Sequence, residues 1–485
     1  MTEADAGVIV SEFDVFLLLK KLKKRKASIT GAITNELLIE LADVLAAPVA
    51  SLINSSIRSG IVPQQWKSSR VTLVPKVSPA TRVENDFRPI SITCPISGVA
   101  EKIVAQCFDK HFEPYQDIDQ YGVTKGKSTV LAIVKLCHII CCASDESCNF
   151  IRVLFVDFTK AFDSIDHTLL YNKFTECNFP VWLTTWSLDF LNNRSQFVKA
   201  GDVLSTCLVT NAGAPQGTRA GGNDFKLMIN DLSLDAQCIK YVDDVSLATV
   251  SSDPYDQCMQ ESFDNLVDWS VNNNLKINNS KTKEMIVHFG KQFDVATVPN
   301  LSNKDVVIDK VSEFKFLGVI LRDDLNWCSH VAYIISKASK RIYVISLLSR
   351  IKMSVVDLIG IYCSIVRSAL EYASPVWHGG LSKAQSCDIE RVQKRCLRII
   401  FPLLSYKEAL RISGLERLSA RREKASYDLF VQIKHPSHPL NNLITPKGKP
   451  VDRVSTRDSY PFLVPRAKTN RMSKSLIVYG LLKKW

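Results

Sequence analysis

The chain has 485 residues, 46% of them hydrophobic and 23% charged, with a formal charge of +12 and a pI near 9.0. That length suffices for roughly two to four structural units around a sizeable core, and the balance excludes a disordered or fibrous chain. No uncharged apolar run reaches about 18 residues, so no membrane span is expected, and the basic surplus points to an acidic partner, nucleic acid first. The 14 cysteines are scattered. Cys137, Cys141, Cys142 and Cys148 cluster without paired C-x-x-C or His spacing, so they read as reduced thiols of an intracellular protein rather than a zinc site.

Residues 11–26 read as an amphipathic helix ending in the basic run Lys20–Lys26, which suits a helix C-terminus, a nuclear address or a nucleic-acid contact. A second helix is expected over 33–57, where Leu37, Leu38, Leu41, Val44 and Leu45 recur at helical spacing. Residues 62–76 begin as a turn and continue as a strand, with 86–93 as hairpin partner. Helices are expected over 99–112 and 129–142. Between them, Gln120–Thr129 carries two glycines and two lysines that would let a phosphate backbone lie close.

The run Ile151–Val156 is short, apolar and rich in β-branched residues, which argues for a buried strand ending at Asp157. Asp163 and Asp166 read as acids at the start of the following helix. A helix over 183–191 and a strand over 196–200 precede the turn Gly213–Thr218 and a helix over 224–232. Ile239–Val242 and Val245–Thr249 then form a tight hairpin with Asp243-Asp244 at its tip. A helix over 256–273 follows, and 275–289 ends in a strand. Beyond Trp327 the pattern is mainly helical. In 388–400, Ile389, Val392, Cys396 and Ile399 make one stripe while Arg391, Lys394, Arg395 and Arg398 share another face. The tail from Pro436 is expected to pack poorly.

Two adjacent aspartates at a hairpin tip suit either a solvated turn or a divalent, oxygen-loving cation. Asp157, at the mouth of a sheet, suits either a helix cap or a third ligand.

The ordered segments Phe155-Val156-Asp157-Phe158-Thr159-Lys160-Ala161-Phe162-Asp163, Ala214-Pro215-Gln216-Gly217-Thr218 and Tyr241-Val242-Asp243-Asp244 resemble the palm of a reverse transcriptase. The wider pattern is most similar to the polymerases of non-LTR, LINE-type retrotransposons. This resemblance implies an α+β fold of right-hand architecture, with fingers, a palm built on an antiparallel sheet and a helical thumb. It divides the chain into an N-terminal helical extension (1–60), fingers (61–150), palm (151–320), thumb (321–410) and a partly disordered C-terminal segment (411–485). It implies that Asp157, Asp243 and Asp244, with the carbonyl of Phe158, bind two Mg²⁺ ions, Mn²⁺ being a substitute. Lys76 and Arg88 match positions that approach the incoming triphosphate. Phe162 matches the ring beneath the sugar, although core packing would explain it equally. Gln216 and Gly217 match the pair at the nascent base pair. Lys281 or Lys283 would serve as general acid, Phe314–Ile320 as primer-grip hairpin, and the basic face of Arg391, Lys394, Arg395 and Arg398 as a track for template–primer phosphates.

The implied activity is RNA-directed DNA polymerisation, with an RNA template, a DNA primer, deoxynucleotides, a possible separate endonuclease and nuclear residence. Two departures stand out. The block Lys26–Ala32 lacks a Gly-Pro-Asp element, and Gly221-Gly222 replaces a Gly-Pro, which is expected to loosen that loop. A catalytically inactive RNA-binding remnant and a group II intron-type maturase are the alternatives. With neither an endonuclease domain before the fingers nor a Cys/His knuckle, the chain is expected to be a fragment or a separated polymerase portion.

Overall fold

The structure is a computed structural model that describes residues 9–29, 33–76, 79–82, 86–145, 150–253, 255–288, 294–446 and 461–485. Part of the Lys26–Ala32 block lies outside the described residues.

The centre is a five-stranded sheet built on β3 (Phe150–Val156). All seven residues of β3 are buried, because both faces of the strand are covered. Ile151, Val153 and Phe155 point into one apolar core, and Leu154 and Val156 into the other. The period-two alternation of a strand thus joins two cores through one element. β3 pairs antiparallel with β8 (Asp244–Ser251) on one side and β9 (Lys283–His288) on the other. β7 (Gln237–Tyr241) closes the hairpin with β8, and the short β12 (Asp309–Lys310) adds to β9.

A second sheet stands before it. β1 (Ser68–Pro75) pairs antiparallel with β2 (Phe87–Ile92) and parallel with β4 (Arg194–Ala200), and β5 (Val203–Leu204) and β6 (Leu208–Thr210) complete it. The hairpin expected at 62–93 is therefore present. Two short hairpins, β10–β11 (302–303 with 306–307) and β13–β14 (Glu313–Phe316 with Val319–Arg322), follow the central sheet. Phe314 of the second stacks on Phe155 of β3 at 4.1 Å between ring centroids.

Several helices differ from expectation. The first spans only Glu12–Lys20. It stops where consecutive like charges would repel along a helix face. Lys20 and Lys24 instead lie near Asp43 (3.9 Å) and Glu40 (3.7 Å) as exposed pairs. The helix expected over 33–57 is broken at Leu41 into Asn35–Glu40 and Ala42–Ser59. The helix expected over 224–232 begins earlier, at Arg219, because Thr218 caps it by accepting the Gly221 N–H (3.1 Å).

From Cys328 onward the described residues are mainly helical, with long helices at Cys328–Arg350, Lys383–Ile400 and Leu418–Ile433. The expectation of a poorly packed tail fails for residues 461–485. Ile477, Val478 and Leu481 are almost wholly buried, in helix Leu476–Leu482. Asp145 accepts the backbone N–H groups of Lys468 and Thr469, both at 2.8 Å, which fastens this segment to helix Thr129–Asp145. Buried apolar side chains outweighed the Pro- and Lys-rich composition. No helix among the described residues is long and apolar enough to cross a membrane.

Candidate active site

Register brings the carboxylates together. Val156 of β3 faces Val245 of β8, so Asp157, one step on, stands beside Asp244. Tyr241 pairs with Asp244, leaving Val242 and Asp243 as the two turn residues. Val242 has φ +59°. For a β-branched residue this left-handed conformation costs on the order of 1–3 kcal/mol and persists only where neighbours enforce it.

Charge is crowded here. Burial first, and then the charge of Asp157, push the Asp243 carboxyl above its usual range, against the pull of Arg88 and Lys76. Asp244 is pushed up to about 7 by its desolvated surroundings and then by Asp243 and Asp157, although part of its side chain opens to solvent. Asp157 Oδ2 is buried with no hydrogen-bond donor, and the Lys281 ammonium stands 3.6 Å from it. The three acids share one electrostatic neighbourhood without closing into a cage. Among the described residues no three His, Cys, Asp or Glu side chains form a ready coordination set. A carboxylate oxygen with no hydrogen-bond donor, beside two acids that resist ionising, fits a divalent cation. Mg²⁺ in particular takes one or two carboxylates and completes its shell with water and substrate phosphates.

The backbone around Asp157 is fixed on its other side. Asn278 N–H donates to the Asp157 carbonyl and Thr159 N–H to that of Lys276, both at 2.8 Å. Phe158 lies between these two bonds, its side chain buried in the core. Asp166 caps helix His167–Glu176 by accepting two backbone N–H groups, as expected of a helix-start acid, and Asp163 lies in the short 3₁₀ turn Ala161–Ser164.

Arg88 and Lys76 are exposed at the end of the β1–β2 hairpin, close enough to act on the Asp243 carboxyl. Gln216 and Gly217 rest on β2, where the Gln216 carbonyl accepts the Ser91 N–H (2.8 Å). Gly217 has φ +106°, and a Cβ there would stand 3.1 Å from Ile90 Cγ2. Only glycine fits this approach without strain. Phe162 is half-buried and stacks on fully buried Phe225 at 5.0 Å, so part of the ring serves the core. Gly221 and Gly222 lie in the first turn of a helix, so the expected loosening of a loop does not occur.

Arg391, Lys394, Arg395 and Arg398 are exposed on helix Lys383–Ile400, while Ile389, Val392 and Cys396 are buried beneath them. They belong to the helical bundle and take no part in the aspartate cluster.

The sequence reading missed three supports of this cluster. Lys240, one residue before Tyr241, is fully buried; its ammonium donates to the carbonyls of Ile229 (3.1 Å) and Leu232 and pairs with Asp117. Gln120 and Gly122 press against the turn itself, where a contact with a phosphate backbone was expected. A buried lysine inside an apolar strand leaves no periodic signal, and a glycine that admits a neighbouring backbone looks in sequence like one that admits a ligand.

The fold and cluster together define a palm: an antiparallel sheet with three acids at its mouth. Residues 74–321 match the family model "Reverse transcriptase (RNA-dependent DNA polymerase)", and the chain belongs to that family. It is 24% identical over 398 residues to the "Probable RNA-directed DNA polymerase from transposon BS" of Drosophila melanogaster, covering 79% of this chain and 43% of that one. It is 27% identical over 375 residues to the "Probable RNA-directed DNA polymerase from transposon X-element" of the same organism, covering 73% and 39%. The non-LTR, LINE-type group expected from the motif order is thus the group found, and the chain spans less than half the length of these relatives. Among solved structures, telomerase from Candida albicans with a TWJ fragment of telomeric RNA aligns over 79% of this chain and 69% of that one, at 11% identity and a TM-score of 0.37.

Proposed function

We propose that this chain is an RNA-directed DNA polymerase that extends a DNA 3′-hydroxyl on an RNA template. The observation that carries the reading is the convergence of Asp157 with Asp243 and Asp244, where a buried oxygen without a hydrogen-bond donor and raised carboxyl pKa values mark crowded negative charge.

In this reading Asp157, Asp243, Asp244 and the Phe158 carbonyl hold two Mg²⁺ ions, or Mn²⁺ in their place. When bound, such a pair supplies Lewis acidity toward the attacking hydroxyl and charge neutralisation at the leaving pyrophosphate. Positioning and electrostatics carry the rest, as in other phosphoryl transfers. Lys76 and Arg88 neutralise the triphosphate at the end of the β1–β2 hairpin. Gln216 and Gly217, docked on β2, support the nascent base pair, and the exposed part of Phe162 bounds the sugar. Of the two candidate lysines, Lys281 donates the proton to pyrophosphate, since its ammonium stands 3.6 Å from Asp157 whereas Lys283 is drawn to Asp309. Arg391, Lys394, Arg395 and Arg398 track template–primer phosphates. Residues 61–150, 151–320 and 321–410 act as fingers, palm and thumb. A separate endonuclease and nuclear residence complete the proposal.

The test is deoxynucleotide incorporation on an RNA template with a DNA primer, in Mg²⁺ and then Mn²⁺, beside Asp243→Asn. Incorporation that the variant abolishes supports the reading. Salt-sensitive RNA binding without incorporation in either metal overturns it in favour of an inactive RNA-binding remnant.

A further inference from the structure

We infer that Gln120 is a positioning residue for the Val242-Asp243 turn: its buried side-chain oxygen holds the strained Val242 N–H and so aims the Asp243 carboxylate. The inference rests on the polymerase reading above and adds a residue to it.

Segment 119–121 meets β7 through a single bridge. The Lys240 N–H donates to the Asp119 carbonyl at 2.9 Å and the Tyr121 N–H to the Lys240 carbonyl at 2.7 Å, which makes a parallel bridge between Gln120 and Lys240. The Gln120 side chain, 1% exposed, then turns toward the hairpin tip. Its Oε1 accepts two backbone N–H groups, from Gly122 at 2.7 Å and from Val242 at 3.2 Å. Two donors converging on one atom fix the amide orientation, because Nε2 cannot accept them. Nε2 is left buried without a partner. A buried donor without an acceptor is costly, and such costs are retained where a group has another task.

Gly122 makes the approach possible. A Cβ there would stand 2.6 Å from the Val242 nitrogen and 2.5 Å from Val242 Cγ2. Val242 is thus clasped from one side by a residue with no side chain and held by the next residue but one. The clasp acts on the one turn residue whose backbone is in the left-handed region, and the adjoining residue is Asp243. Left-handed geometry at a β-branched residue needs such enforcement, whereas glycine adopts it freely. The mechanism therefore predicts a rescue. Removing the Gln120 acceptor should release the turn, and Val242→Gly in the same chain should restore it.

The experiment measures Mn²⁺ binding to the full chain by electron paramagnetic resonance, with melting curves alongside. The chains are wild type, Asp243→Asn, Gln120→Met and Gln120→Met/Val242→Gly. Outer supports of metal sites typically alter affinity by 10- to 100-fold, so Gln120→Met should weaken the Asp243-dependent site by about 10-fold. The double variant should recover most of that loss, which a general packing defect would not do. Unchanged affinity in a folded Gln120→Met chain, or no recovery in the double variant, overturns the inference. Wild-type binding that ignores Asp243→Asn overturns the polymerase reading and takes the inference with it. If Gln120→Met does not fold, hydrogen exchange at the Val242 amide of the wild type decides. Slow exchange is expected of a donor bound to a buried acceptor, and exchange at the rate of an open loop overturns the inference.

Discussion

The aspartate turn and the helix Lys383–Ile400 both gather like charges, and they treat them in opposite ways. On the helix, Arg391, Lys394, Arg395 and Arg398 stand in water above a buried apolar stripe, so their charge costs the fold little. At the turn, Asp243 and Asp244 are pressed beside Asp157, their carboxyls resist ionising, and Val242 is held in a strained conformation. Charge assembled against its own cost is what the proposed cation site requires. Charge spread through solvent indicates a surface that works by sum, where each residue is replaceable.

The sharpest way to break this comparison is Asp243→Asn. At the turn one substitution should lower incorporation by about 10³-fold or more, since acids that act as a unit are not additive, and steady-state primer extension measures it. The turn's supports should come next. Lys240→Met leaves the carbonyls of Ile229 and Leu232 and the Asp117 carboxylate without their cation. Breaking a buried pair in this way costs about 3–5 kcal/mol, read from urea unfolding. Gly122→Ala drives a methyl into Val242 and should weaken divalent-metal binding more than it lowers the melting temperature.

How much of this was legible follows from which forces leave a pattern. β3 was legible because burial on both faces produces an apolar run, broken by Arg152, that ends at Asp157. The β7–β8 hairpin was legible because two apolar runs bracket the Asp-Asp pair, although its turn falls one residue earlier than expected, at Val242-Asp243. The early start of helix Arg219–Met228 was signalled by Thr218 as a cap, but two glycines read as loop and masked it. Gln120 stood in a stretch that the sequence marked, but its contact with Val242 did not show, since it spans 122 positions and involves backbone atoms that every residue possesses. The packing of 461–485 was hidden because its buried face, Ile477, Val478 and Leu481, is short and preceded by a polar stretch.

A smaller effect sharpens the contrast through pH. The folded-state pKa of Asp244, about 7, lies above the unfolded value near 3.9. The folded chain therefore binds more protons between these values, and without metal this group's contribution to stability falls as pH rises from about 4 to about 7 and stays lost above. In chelator, Asp244→Asn should melt higher than wild type at about pH 8 and close to it at about pH 4, by a margin kept small because Asp244 reaches solvent. The smallest effects belong to the helix. Replacing any one of Arg391, Lys394, Arg395 or Arg398 by Ala should shift stability by less than about 0.5 kcal/mol. Each should lower the slope of log RNA affinity against log salt by about 1, measured by fluorescence anisotropy.

The central claim is that Asp157, Asp243 and Asp244 jointly hold divalent cations. Anomalous diffraction from crystals of the full chain grown with Mn²⁺, primer–template and deoxynucleotide tests it most directly. The account predicts anomalous peaks within coordination distance of Asp157 and Asp243. Strong Mn²⁺ peaks elsewhere, with these carboxylates bound only to water or to Lys281, would contradict it.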